Sequence, residues 1–467
     1  PPDKVRVLHT YDSPTIVCMR LFLILFCAEM AGAQPALVEK ISEELQKSGA
    51  PSVSVALVTN GKLTLAQGFG KADIATGRAT DPSTRYAVGS ISKQFTAAIV
   101  LLLQEQGKLS LDDRVSKYFP ELTRAGEVSI RQLLSHTAGY EDFAPQDYTI
   151  PEWLKPTTPQ AVLDRWAKKP LNFDPGTRWQ YSNTNYVLAG AIAEKASGLG
   201  LMEMLKAKIF DPLDMKSAGD CLPVLPGDAI AYTRFALGPA RPSQREASGW
   251  YFAAGELCMT PSDLARWDIA FLQKKILSAR SYEEFTREIR LLNGDHTHYA
   301  LGLMLREIDN IPAIEHGGEV SGFISANYVF PTRNGAVVVL SNQDGMNLVT
   351  PLAETISRMT FAPAQAAGGD PEIVKVRGVV EGLEKGRIDR MLFTSNANFY
   401  FTETALTDIR NSLAGLGKLK SVTLAVERLR GGMTFRVYHA EFEKRTMAIS
   451  TYWMPDGKIE QFMVEAN

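Results

Sequence analysis

The chain reads as an α/β sheet domain with a helical insertion, followed by a smaller α+β domain. Three observations predict this. Strand-hairpin patterns occur near both ends of residues 37–359, the stretch between them is mainly helical and loop-like, and a small-residue run at 363–369 precedes a separate helix-and-strand pattern. At 467 residues the chain also exceeds the size at which one hydrophobic core keeps growing, so two folded units are expected.

Taken in order, Met19-Arg20 and the apolar run Leu21–Cys27 lead to Ala31-Gly32-Ala33, the charge, apolar and small-residue sequence of a secretory signal peptide. The run is too short to span a bilayer. Residues 1–18 read as non-native coding sequence or an unstructured extension. Bulky Phe26 before Cys27 argues against a lipoprotein anchor, so a soluble mature chain is expected from Gln34, in the periplasm or outside the cell. Leu37, Val38, Ile41 and Leu45 then share one helical face. Two strands, 52–58 and 63–67, flank Asn60-Gly61, and two more, 325–330 and 336–341, flank Asn334-Gly335. Phe95 to Leu103 is apolar almost all round, which predicts a helix buried centrally. A helix over 348–359 with Pro351 in its first turn closes the first domain, placed at 34–362. After a linker at 363–370, residues 371–467 are expected to form helices near 371–386 and 403–416 and strands at 421–426, 433–442, 445–453 and 459–464.

Composition excludes several classes. The chain is 45% hydrophobic and 22% charged with a net charge of −2, and it has no basic stripe, so neither nucleic acid nor an anionic membrane surface is an expected partner. No cofactor is expected. Cys/His clustering at metal-ligand spacing is absent from the sequence, and His296 with His298 reads as a solvated loop. Cys221 and Cys258, the two cysteines beyond the leader, could bridge in an exported protein, but their separation in space is not readable from sequence.

The chemistry-bearing residues begin with Gly89-Ser90-Ile91-Ser92-Lys93, where a polar segment meets the apolar helix. Ser90 falls at a helix start with Lys93 one turn on, so a nucleophile and a base face the same side. Backbone N–H groups at a helix start suit a developing oxyanion. Alone, S-x-x-K is weak, and Ser90 could be a simple N-cap. However, Tyr181-Ser182-Asn183 and His316-Gly317-Gly318 follow in that order. The triple resembles the S-x-x-K, Y-x-N and K-T-G boxes of class C β-lactamases, penicillin-binding carboxypeptidases and related esterases and D-aminopeptidases. Arg85–Ser90, Ile130–Gly139 and Ala253–Leu257 match that superfamily too, and the resemblance covers roughly 36–360.

This resemblance implies a β-lactamase/transpeptidase-like fold and a serine hydrolase acting through an acyl-enzyme on a small or peptide-derived acyl substrate. It implies Ser90 as nucleophile, Lys93 as its base, Tyr181 as a second proton carrier aided by the charge of Lys93, and Asn183 as a ligand of the substrate amide. It also implies an edge strand at His316, Gly317 and Gly318, with the Glu319 N–H joining that of Ser90 in an oxyanion hole. Lys93 can accept the serine proton near pH 7 only if burial lowers its pKa by about 3. The departure is His316 where β-lactamases and carboxypeptidases carry Lys, which ranks esterase or D-amino-acid peptidase activity above β-lactamase. A D-alanyl-D-alanine carboxypeptidase and a non-catalytic binding protein on the same scaffold are the alternatives. His136 reads as structural rather than as a triad member. Residues 371–467 resemble the nuclear transport factor 2-like domains appended to such hydrolases, with packing or oligomerisation as the simplest role.

Overall fold

The computed structural model describes residues 35–361 and 371–466, apart from Asp147, Leu237, Met346 and Gly431. The leader and the linker therefore lie outside the described residues. Contacts divide the chain into two compact units, Pro1–Ala362 and Pro363–Asn467.

The first unit is built on a six-stranded antiparallel sheet of β1 (Ser52–Thr59), β2 (Lys62–Gly70), β3 (Met304–Ile308), β4 (Ile311–Val320), β5 (Phe323–Phe330) and β6 (Gly335–Ser341). Its order is β2-β1-β6-β5-β4-β3, so the first and last parts of the domain meet where β1 pairs with β6. Both Asn60 and Gly61 have positive φ, 52° and 69°, as a two-residue hairpin requires. The second hairpin turns differently: a 3₁₀ turn over Pro331–Arg333 ends on left-handed Asn334, and Gly335 pairs with Phe330 as the first residue of β6. Pro331 sets this longer turn by holding the first position of the loop.

Helices cover the sheet on both faces, which is why β1 and β6 are buried along almost their whole length. Val53, Val55 and Leu57 share one core with Leu37, Ile41 and Leu45 of the first helix, α1 (35–48), and with Leu352 and Ile356 of the last. The alternate residues Ala56 and Val58 face a second, larger core, built with α2 (Ser92–Glu105), α3 (Asn183–Ser197) and α4 (Pro261–Leu272). In α2, residues 92–101 are all buried, as expected for a helix that lacks a polar face. The last helix, α5 (Val349–Phe361), starts one residue later than expected. Cys221 and Cys258 are joined by a disulfide, with their Cα atoms 4.8 Å apart.

The second unit comprises α6 (Pro371–Leu383), α7 (Ser395–Tyr400), α8 (Glu403–Ala414) and a four-stranded antiparallel meander, β7 (Leu419–Arg430), β8 (Met433–Phe442), β9 (Thr446–Trp453) and β10 (Ile459–Ala466), around its own apolar core. The strands sit where the alternation places them. Helix α7 was not expected: it has fewer than two turns, too short for a helical period to show, and the Thr394 side chain caps it. Among the described residues no helix is long and apolar enough to cross a membrane.

Candidate active site

Ser90 sits in a 3₁₀ turn, Gly89–Ile91, that feeds directly into α2. Gly89 is needed there. Its φ is +51°, and a Cβ would fall 2.8 Å from the Glu319 nitrogen. The turn is pinned from behind by the short strand Tyr86–Ala87 pairing with Leu257–Met259, and by Ser92 Oγ, which donates to Gly89 O and accepts from Leu257 N–H. The β4 strand passes in front. A Cβ on Gly318 would lie 2.0 Å from Val88 O and 3.0 Å from Ser90 N, so only glycine allows β4 to approach the nucleophile this closely. The partner of β4 on its outer side, β3, stops pairing at Glu315, so His316 to Val320 form an edge beside Ser90.

One turn into α2, Lys93 is fully buried, with Nζ 2.9 Å from Ser90 Oγ, 2.8 Å from Asn183 Oδ1 and 2.8 Å from Ala254 O. Burial lowers its pKa from an ordinary 10.5 to about 7, against an opposing pull from Asp142. An amine at that value is half neutral at pH 7. With its two N–H groups directed at Asn183 and Ala254, its lone pair faces the Ser90 hydroxyl, the geometry a general base requires.

Tyr181 comes from the extended segment before α3, is hydrogen-bonded to Ser90, and lies with its ring centroid 4.8 Å from Lys93 Nζ. Burial pushes its phenol well above the ordinary value. The resting site therefore holds a protonated Tyr181, not the phenolate that base chemistry at this residue would need. His136, read as structural, packs against Tyr181 with ring centroids 4.2 Å apart and planes tilted by 34°. Its Nδ1 accepts from Ser182 N–H and its carbonyl from Gln180 N–H, so it grips both neighbours of Tyr181. Burial holds its pKa well below 6.5. It is neutral, and no hydrogen bond joins it to Ser90 or Lys93 among the described residues.

Two expected substrate ligands are also engaged by the protein itself. The Asn183 carboxamide accepts from Lys93 and donates to Asp142, leaving a single N–H, because α3 begins at Asn183 and directs the side chain at the buried amine. In His316 the Nδ1–H donates to Gly317 O at 2.5 Å and Nε2 accepts from the Tyr299 hydroxyl at 3.0 Å. Burial and the nearby Lys93 lower its pKa to about 3. His316 is thus a neutral wall of the site with both ring nitrogens used. Gly317, Gly318 and Glu319 are where the edge strand was expected.

Sequence reasoning missed Asp142 and the Ala254 carbonyl. Asp142 accepts from Asn183 N–H and Ala144 N–H and carries a carboxyl whose pKa burial raises. A lone acid in a loop has no local signal, although it lies just past the Ile130–Gly139 phrase. Ala254 was within a recognised phrase, but its role is carried by backbone. Ser90, Asp142, Tyr181, Asn183 and the strand from His316 to Glu319 line a cavity of about 570 Å³.

A family model described as Beta-lactamase matches residues 37–355, well over half of the chain. The chain belongs to the β-lactamase family. As a member it is a serine hydrolase with the β-lactamase/transpeptidase-like fold. Penicillin-binding protein 4* of Bacillus subtilis is 28% identical over 327 residues, spanning 66% of this chain and 71% of that one. A D-stereospecific amidohydrolase from Streptomyces sp. superposes with a TM-score of 0.60 at 25% identity, over 70% of this chain and 99% of its own. The octameric penicillin-binding protein homologue from Pyrococcus abyssi, at 20% identity, shares the fold with a TM-score of 0.62 over 92% of this chain and 99% of its own. That overlap is larger than residues 35–361 could supply, so the second unit has a counterpart there.

Proposed function

We propose that the protein is an exported hydrolase that forms an acyl-serine at Ser90 from amides or esters of small or peptide-derived acids, with no cofactor. The observation that carries this is the Lys93 amine, buried, at about 7, and 2.9 Å from Ser90 Oγ with its other contacts occupied. Lys93 takes the Ser90 proton as Oγ bonds to the acyl carbon. The oxyanion is held by the N–H groups of Ser90 and Glu319, while the substrate chain lies along Gly317 and Gly318. As the acyl–leaving group bond breaks, the Tyr181 phenol gives its proton to the leaving nitrogen or oxygen and regains one from protonated Lys93. In deacylation Lys93, neutral again, takes a proton from the attacking water, and Ser90 Oγ leaves with a proton returned through Tyr181.

Amide and ester substrates without a carboxylate fit better than β-lactams or C-terminal D-alanyl peptides. His316 is neutral where a lysine would be charged, and the cavity lining includes Asp142, Glu246, Glu319 and Asp344 but, among the described residues, no Lys or Arg. The solved amidohydrolase supports the same ranking. The Cys221–Cys258 bridge supports export, since such bonds persist in oxidising compartments. The second unit, a four-stranded meander sharing an apolar core with its helices, we read as a nuclear transport factor 2-like module for packing or oligomerisation. The octameric state of the archaeal homologue supports that reading.

The test is intact mass spectrometry after a fluorophosphonate, followed by turnover of D-amino-acid amides, p-nitrophenyl esters and nitrocefin. A single adduct that disappears in Ser90→Ala, with amides or esters preferred over nitrocefin, is expected. Labelling that persists in Ser90→Ala would remove the nucleophile from the mechanism.

A further inference from the structure

The edge strand continues past the oxyanion position to Val320, and a two-residue turn, Ser321-Gly322, returns the chain into β5. Two carboxylates from distant segments converge on that turn. Glu246 Oε1 accepts from both the N–H and the hydroxyl of Ser321, at 3.1 and 2.7 Å. Asp344 Oδ2 accepts from Gly322 N–H at 2.6 Å. Holding the turn therefore occupies one oxygen of each acid.

The second oxygen of Asp344 has no such task among the described residues. Asp344 is 8% exposed, and its Oδ1 is buried without a hydrogen-bond partner among the described residues. A buried carboxylate oxygen left unpaired is costly, and native structures rarely keep one without a ligand or function to account for it. Both acids line the active-site cavity. Arg245, next to Glu246 in sequence, has its guanidinium over the Phe323 ring at 5.3 Å and is not part of that lining.

Direction along the strand assigns this corner to one half of the substrate. Tyr181, which protonates the leaving group in the reaction above, lies against His316, with ring centroids 6.3 Å apart. The leaving group therefore occupies the His316 end of β4, and the acyl chain runs the other way, past Glu319 toward Ser321. At about 3.3 Å per residue, Ser321 is roughly 7 Å beyond the oxyanion position. An α-ammonium, one carbon from the scissile carbonyl, cannot reach it.

We infer that Glu246 and Asp344 form a subsite for an alkylammonium group carried on the acyl half of the substrate, about five or six bonds from the scissile carbonyl. A lysine-like side chain or the amino terminus of a dipeptidyl acyl group has that reach. The subsite deepens the acyl-serine reading and depends on it.

The test uses the full chain and two series of p-nitrophenyl esters with acyl chains of four to eight carbons, one ending in ammonium and one in methyl. A succinyl ester serves as the anionic control. In wild type the ratio of kcat/KM for ammonium over methyl should exceed about ten and peak at an intermediate length, and kcat/KM itself should be lowest for the succinyl ester. In Asp344→Asn and Glu246→Gln the ratio should fall several-fold, with the methyl ester of each variant as its internal reference. If either variant fails to fold, competitive inhibition of wild type by pentylamine over pentanol reports the same preference. Methyl esters that acylate Ser90 with no ammonium preference at any length overturn the subsite and leave the hydrolase reading intact. Failure of every ester to label Ser90 overturns both.

Discussion

Replacing Lys93 with Met should change the pH dependence of stability in a way that only a buried, proton-poor amine explains. Above about pH 7 the folded protein holds Lys93 neutral, whereas the unfolded chain keeps its proton up to about 10.5. Between those values the unfolded state binds more protons, so wild-type stability rises with pH through that window; below pH 7 both states carry the proton and the contribution is flat. The penalty for burying the amine is about 4 kcal/mol at pH 7 and about 2 kcal/mol at pH 9. Wild type should therefore gain about 2 kcal/mol relative to Lys93→Met between pH 7 and pH 9. Lost hydrogen bonds to Asn183 and Ala254 offset the two curves but do not alter their difference in slope. Urea denaturation of both proteins at pH 7, 8 and 9 measures it. The kcat/KM for a neutral ester should rise over the same range, with an apparent pKa near 7. A stability difference that is constant from pH 7 to pH 9 would refute the lowered lysine and, with it, the general base.

Three further outcomes are expected. Gly318→Ala should leave the fold intact yet reduce acylation of a neutral ester by about a hundredfold or more, because its Cβ would collide with Val88 O and push β4 off Ser90; near-normal burst kinetics would show that the strand can yield. Replacing both Cys221 and Cys258 with Ala should cost about 3–4 kcal/mol, from the chain entropy of a loop spanning 37 residues, read from denaturation of both proteins under non-reducing conditions. A chain ending at residue 362 should still be labelled at Ser90 by a fluorophosphonate, since all the cavity-lining residues precede the second unit, and a folded truncation that is not labelled would show otherwise.

Much of this architecture is written in local pattern. The two hairpins, the central helix and the four strands of the second unit follow from alternation, turn chemistry and the absence of a polar face, all of which act within a few residues. Ser90 and Lys93 are also legible locally, because one helical turn places them on the same side. The departures arose where neighbours in space, not in sequence, set the chemistry. Asn183 turns to Lys93 and Asp142 because α3 delivers it beside a buried amine. His316 stays neutral because burial and the nearby Lys93 penalise its charged form, while Tyr299 and Gly317 engage its two nitrogens. Tyr181 keeps its proton because burial penalises a phenolate more than its hydrogen bond with Ser90 can compensate. Residue type and spacing can name the groups able to move a proton. Which of them holds it depends on desolvation and on partners that can lie 90 or more residues away, and those exist only once the chain has folded.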